Sequence, residues 1–275
     1  MKHSGLQRKL FKQIFPAKGL NPMAVTSEKK GRVQWITWHR PPLNVLNIAL
    51  LRELDRLLVD CAADPTVDLV LLQGAGQRAF SAGVDINDHT ADKVPEMLEV
   101  VHGVIRKLLA LPQVTIASVR GVCLGGGCEV ASSCDFIVAT EGSLFATPEI
   151  LVGCYPPVAL ARFASLIGYH RAAEMILTGR RFSASEAQAL GLINRVFAEA
   201  EFDRGVQTLL DELDGKSGAV LRLTVQGLRE LSLRGFNDAL KRSEEIYCNQ
   251  LLKTCDVEEG VKAFLEKRPP NWTHR

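Results

Sequence analysis

The sequence predicts an α/β core followed by a helical C-terminal subdomain. Two observations carry this. Strand and helix patterns alternate from residue 31 to residue 140, and residues 201–275 hold helical periodicity with no strand signal. Alternating elements bury their apolar faces against one another in layers, and a chain of 275 residues can bury a sizeable core in one large domain.

Residues 31–38 (GRVQWITW) place β-branched and aromatic residues after a glycine and read as a strand. Two prolines stiffen the loop 40–47, and residues 48–64 form an amphipathic helix. Residues 67–76 (VDLVLLQGAG) read as a buried strand ending in glycines, followed by a polar loop over 76–93. Val94, Leu98, Val101, Ile105 and Leu108 make one stripe at helical spacing. Residues 113–121 are a strand that runs into GVCLGGGCEVASSCDF (121–136), and FIVAT (136–140) is strand-like again. Beyond it the chain reads as mostly helical. Ser183 followed by Glu186 is a capping box opening the helix SEAQALG, which Gly191 closes. Residues 201–275 hold about three amphipathic helices.

Residues 1–27 differ in character. Lys2, Arg8, Lys9, Lys12 and Lys18 stand without an acid before Glu28, while Leu6, Leu10, Phe11, Ile14 and Phe15 recur at helical spacing. This basic amphipathic arm reads as a short helix packed on the body or on a second subunit. An organelle transit peptide is the alternative, although the segment holds one arginine and little serine.

Composition excludes several function classes. With 33 basic and 31 acidic residues the formal net charge is +2, which offers neither nucleic acid nor an anionic membrane a strong field. Seven cysteines form no CxxC pair, and Cys123, Cys128 and Cys134 have no histidine at zinc-ligand spacing. They read as free thiols of a reducing compartment, with no metal site expected. No apolar run approaches the ~20 residues of a membrane helix. The expected location is cytoplasmic, with the mitochondrial matrix as the alternative.

Chemistry concentrates around residue 126. Gly125, Gly126 and Gly127 precede Cys128 and Glu129. A glycine-rich turn entering a helix leaves N–H groups free and lets other atoms approach them. Such a nest can hold a phosphate, can hold an oxyanion that develops during a reaction, or can merely permit close packing. Neither the dinucleotide fingerprint nor the P-loop spacing is present. Glu129 favours chemistry, because an ionised carboxylate among apolar residues is costly unless paired or used. A second carboxyl, Glu149, follows Pro148 and precedes an apolar run in LFATPEILVGCYPP (144–157). Two carboxyls beside free amides can move a proton next to a stabilised enolate, although each could instead cap a helix or pair with an arginine.

Five segments now stand in order: RAFSAGVDI (78–86), GVCLGGGCEVASSCDF (121–136), FATPEILVG (145–153), LTGRRFSASEAQALGLINRVF (177–197) and DVEEGVKAFLEKRPPNW (256–272). Together they resemble the enoyl-CoA hydratase/isomerase superfamily, the crotonases, over residues 28–272. The resemblance implies a spiral of ββα units over 28–200 and a helical subdomain over 201–275 that forms trimers, often paired into hexamers. It implies a hydro-lyase whose substrate is an unsaturated acyl-CoA thioester, with CoA arriving as part of the substrate and no separate cofactor. It places the enolate-binding amides at Val84 and Gly126. Glu129 is implied to orient and activate water, and Glu149 to deliver the proton to the α carbon. Arg78, Ala79, Ala82 and Asp85 fall on the nucleotide side of the thioester loop, and Phe264 and Lys267 on tail positions that reach the adenine and phosphates. Both glutamates together are the hydratase pattern, whereas isomerases and thioester hydrolases commonly keep one or move it.

Two segments depart from the generic family. The glycine-rich turn expected after Glu149 is replaced by GCYPPVALARF, in which Tyr155, Pro156, Pro157 and Val158 would build a bulkier and stiffer acyl wall. RPPLNVLNIALL (40–51) also carries extra proline. Both resemble the subgroup that hydrates cyclohexa-1,5-diene-1-carbonyl-CoA in anaerobic aromatic degradation. Straight-chain hydration and isomerisation on the same scaffold, with drift in the loop, are the alternatives. An RNA-binding role would need a basic stripe with aromatics, for which only the arm and KRPPNWTHR (267–275) qualify.

Overall fold

The computed structural model describes residues 24–90 and 92–274, so most of the expected N-terminal arm lies outside the described residues. Residues 24–27, read above as arm, instead begin an edge strand, β1 (Ala24–Lys30), paired antiparallel with β2 (Val33–His39). Its charged and mostly exposed sequence has no apolar alternation, and pairing with β2 is what makes it a strand.

From β2 onward the chain repeats two strands and a helix. The helix α1 (Ile48–Ala63) follows β2 and is capped by Asn47, whose side chain accepts the Leu50 N–H. Next come β3 (Leu69–Gly74), β4 (Ala79–Ser81) and α2 (Val94–Ala110). Then follow β5 (Val114–Val119), β6 (Val122–Leu124) and α3 (Gly126–Ser132). The fourth unit is β7 (Phe136–Thr140), β8 (Leu144–Ala146) and α4 (Pro157–Ile167). After α5 (Tyr169–Thr178) come β9 (Phe182–Ser183), α6 (Ala184–Ala189) and β10 (Arg195–Phe197). The first two strands both enter a sheet ordered β1-β2-β3-β5-β7-β10; from β3 onward each strand pair sends one strand to this sheet and the other to a small sheet ordered β4-β6-β8-β9. The chain therefore winds as a spiral with two sheet walls.

Strand alternation explains how one sheet serves two cores. On β3, Val70 and Leu72 face a cluster with Leu54, Leu58, Val104 and Ile105 of α1 and α2, whereas Leu69 and Leu71 face the other side. That second side is covered by α7 (Phe202–Asp214) through Phe202, Val206 and Leu209. The first helix of the expected C-terminal subdomain is thus a layer of the core.

After it stand α8 (Gly218–Ser232), α9 (Phe236–Asn249) and α10 (Cys255–Glu266), one helix more over this region than the periodicity suggests. Gly235, at φ +80°, separates α8 from α9. Arg229 fastens α8 to the sheet: its Nε donates to Asp135 at 2.9 Å and its Nη2 to the Gln113 carbonyl at 3.1 Å. Short strands escaped the sequence reading. β4 lies inside the stretch read as a polar loop, and β8, β9 and β10 lie in the stretch read as helical. Runs of two or three residues carry no period.

The capping box forms as read, with Ser183 accepting the Glu186 N–H and the Glu186 carboxylate accepting the Ser183 N–H at 2.8 Å. All seven cysteines are free, five of them buried. Among the described residues no helix is long and apolar enough to cross a membrane.

Candidate active site

The glycine triplet sits where β6 ends and α3 begins, and each glycine is demanded by a different neighbour. Gly125 turns the chain at φ +53°, and a Cβ there would meet Glu149 Oε1 at 2.6 Å. A Cβ on Gly126 would meet Val84 Cγ2 at 2.6 Å, and one on Gly127 would meet Ser81 Cβ at 2.7 Å. Close packing is therefore real at all three positions. It also brings two backbone segments together, because the Val84 nitrogen lies 3.6 Å from the Gly126 Cβ position. Among the described residues neither the Val84 nor the Gly126 N–H has an acceptor.

Both residues line a cavity of about 470 Å³. Glu129 and Glu149 line it too, with Ala82, Tyr155, Pro156, Pro157 and Phe264. A second, slightly larger groove beside α8 holds Asp135 and Arg229, but these spend their charges on each other.

Glu129 projects from the first turn of α3 and is buried. Its Oε1 accepts the N–H groups of Val158 at 2.9 Å and Ala159 at 3.0 Å. These amides open α4, whose first residue, Pro157, has no N–H to offer and a φ suited to the first helical position. The diproline thus aims a helix N-terminus at Glu129 and favours its ionised form. Burial pushes the Glu129 carboxyl up on balance, against the pull of the Ala159 amide, the His102 charge and the Val158 amide.

Glu149 stands in the 3₁₀ turn Pro148–Val152 and has no such help. Its Oε2 is buried without a partner among the described residues. Burial first, and the Glu129 charge second, push its carboxyl up to about 8. Glu129 receives two backbone donors and Glu149 Oε2 none, which sets the two carboxyls of the cavity apart. With its carboxyl raised to about 8, Glu149 keeps its proton at neutral pH.

The cavity brings together most of the expected residues and leaves others out. Val158 turns its side chain into the core and serves through its N–H. Asp85 faces away, ion-paired with Arg40 at 2.6 Å and capping the Asn87 N–H at 3.0 Å. Ala79 is buried in β4, where its carbonyl accepts from Asn44 Nδ2 at 2.7 Å. Arg78 and Lys267 are exposed beyond the cavity lining, with Lys267 ending α10.

Sequence reasoning missed His102, Tyr247 and Arg181, all of which line the cavity. His102 stands four residues after Leu98 on α2, on the face of the apolar stripe, and that spacing was the available signal. Its Nδ1 lies 2.6 Å from Glu244 Oε1, which also accepts from Arg106 Nη2 at 2.8 Å. The Tyr155 hydroxyl donates to the Ser243 carbonyl at 2.7 Å, and its ring meets Tyr247 edge-on with centroids 5.1 Å apart. The acyl wall is thus aromatic as well as proline-rich.

A ββα spiral, two open amides and a pair of carboxyls with unequal donors define a crotonase-type enzyme of acyl-CoA chemistry. Comparison with known proteins agrees: residues 28–275 match the family model of enoyl-CoA hydratase/isomerase. The chain belongs to this family and is an enzyme of its hydratase, hydro-lyase type. It is 31% identical over 255 residues to the cyclohexa-1,5-dienecarbonyl-CoA hydratase of Thauera aromatica, covering 93% of this chain and 98% of that one. It is 36% identical over 258 residues to a probable enoyl-CoA hydratase of Rhizobium meliloti, covering 90% and 97% of the two chains. The crystal structure of an enoyl-CoA hydratase from Mycobacterium avium subsp. paratuberculosis superposes with a TM-score of 0.83 at 30% identity, covering 93% of this chain and all of that one.

Proposed function

We propose that this enzyme hydrates an unsaturated acyl-CoA with a compact cyclic acyl group, cyclohexa-1,5-diene-1-carbonyl-CoA, in the cytoplasmic degradation of aromatic compounds. The observation that carries the proposal is the Glu129–Glu149 pair facing a wall of Tyr155, Pro156 and Pro157. A stiff apolar wall suits a flat ring better than a flexible chain. The likeness to the Thauera enzyme supports the same choice.

In this reading the Val84 and Gly126 amides take the thioester oxygen, each contributing about 2.7–4 kcal/mol to the transition state. Ionised Glu129 orients a water molecule and takes its proton as the oxygen bonds to carbon. Protonated Glu149 gives its proton to the carbon skeleton, so the pair exchanges one proton and the water is added whole. The CoA chain leaves past Ala82 and Phe264 toward exposed Arg78 and Lys267, whose cations suit its phosphates.

Val220, Leu223, Leu228 and Leu231 expose an apolar face along α8, and the proposed trimer or hexamer of this chain covers it.

Rates on cyclohexa-1,5-diene-1-carbonyl-CoA and crotonyl-CoA, with product masses, test the proposal. The expected result is a gain of one water on the ring diene with crotonyl-CoA nearly inert. Fast hydration of crotonyl-CoA alone would overturn the cyclic reading and leave a straight-chain hydratase.

A further inference from the structure

Glu129 is buried, and its donors among the described residues are two backbone amides, which carry no net charge. An ionised carboxylate in such a place is unfavourable without a counter-charge. The cavity offers few. Glu149 keeps its proton at neutral pH, and burial holds His89 below its ordinary range and so neutral. Burial raises the Tyr155 and Tyr247 hydroxyls, and Arg181 is exposed, where water screens it.

His102 remains, in the wall of the same cavity. It is 1% exposed and its Nε2 is buried without a partner, so the ring is closed to contact with a substrate. Its Nδ1 lies 2.6 Å from Glu244 Oε1 of α9, the short separation of a charge-assisted hydrogen bond, and Arg106 Nη2 donates to the same oxygen at 2.8 Å. At Glu244 the His102 bond is the main cause that lowers the carboxyl. The charges of Arg106 and Glu244 offset each other, which leaves an imidazolium at His102 and a carboxylate at Glu129 to balance. Burial raises the Glu129 carboxyl, and the His102 charge, after the Ala159 amide, opposes it.

We infer that Glu244 holds His102 as a buried imidazolium, and that this imidazolium is a positioning residue whose charge keeps Glu129 ionised and ready to take the proton of water. This deepens the hydratase reading above and rests on Glu129 as the base. Both nitrogens of an imidazolium donate, so one N–H stays unpaired at Nε2. The charge acts without contact, because in a low-dielectric interior the attraction between unlike charges extends beyond hydrogen-bond distance. His102 therefore touches no substrate and passes no proton.

Nitrogen NMR of isotope-labelled histidine, assigned with His102→Gln, reads the charge directly. At neutral pH both His102 ring nitrogens are expected to be protonated in the wild type, with one proton lost in Glu244→Gln. The pH profile of kcat/KM reads the consequence. It falls at low pH as Glu129 gains a proton, and loss of the His102 charge favours that gain. The acid limb should therefore move up by about 1–2 units in His102→Gln and in Glu244→Gln, with little change in the plateau above it. Arg106→Gln removes a charge that is 41% exposed and leaves the His102–Glu244 bond, so the limb should stay in place. A neutral His102 ring in the wild type overturns the inference. So does an unmoved limb in His102→Gln, even with a lowered plateau, which is what a merely structural role would give. Wild-type turnover in Glu129→Gln would instead sink Glu129 as the base, and the NMR result would still decide the charge on His102.

Discussion

The first turn of α3 and the 3₁₀ turn Pro148–Val152 each carry one glutamate into the same cavity, and they treat it in opposite ways. Glu129 receives two amides from the start of α4, whereas Glu149 keeps a buried oxygen with no partner. The residue type is the same, although Glu129 is buried and Glu149 half-buried. The supply of donors differs most, so the backbone, not the side chain type, sets the two carboxyls apart.

The strongest way to break this comparison is to remove the ionisable group from each turn. Glu149→Gln and Glu129→Gln keep size and polarity, and each should lower kcat by about 10²–10⁴ with little change in thioester binding, read by steady-state kinetics and inhibitor affinity. Near-wild-type turnover in Glu149→Gln would remove it as proton donor.

The glycines sharpen the comparison next. Gly126→Ala drives a methyl into Val84 and should cost about 10²–10³ in kcat by displacing the amide pair. Gly127→Ala meets Ser81 instead, so it should lower stability by about 1–3 kcal/mol in chemical denaturation while the folded fraction keeps its kcat.

Titration gives a third test. The Glu149 carboxyl is raised from near 4.5 to about 8, so kcat/KM should fall as pH rises through about 8 and the acid is lost. The same shift sets a stability trend. Between about 4.5 and about 8 the unfolded chain has released this proton and the folded chain has not. Folding stability from this group is therefore greatest at low pH and declines as pH rises across that window. Denaturation midpoints should show the decline in wild type, and the contribution should vanish in Glu149→Gln.

The smallest expected effect comes from thinning the donors of Glu129. Val158→Pro removes one N–H at a position in the first turn of α4 where proline is tolerated. It should move the acid limb of the pH–rate profile up by about one unit, narrowing the gap between the carboxyls. An unmoved limb would mean that the Ala159 amide alone holds Glu129.

Much of the molecule was legible from local pattern. The stripe from Val94 to Leu108 became the buried face of α2, the run FIVAT became β7, and Ser183 with Glu186 capped α6. These features depend on residues within a few positions of each other, so period and cap chemistry decide them. Gly125–Gly127, Glu129 and Glu149 were also visible, because glycines beside a carboxyl in an apolar stretch are a local anomaly.

Tertiary structure decided the rest, since it depends on partners far along the chain. β1 became a strand only by pairing with β2, and α7 joined the core only by covering β3 and β5. Val158 was expected to shape the pocket with its side chain and instead supplies an amide to Glu129, 29 residues earlier. His102 read as one polar residue on an apolar helix until Glu244, 142 residues away, met its ring. The sequence by itself determined the elements, their order and the kinds of group available for chemistry. Only the folded chain decided which groups share a cavity and which donors they receive, because burial and charge act through space and local sequence cannot encode distance.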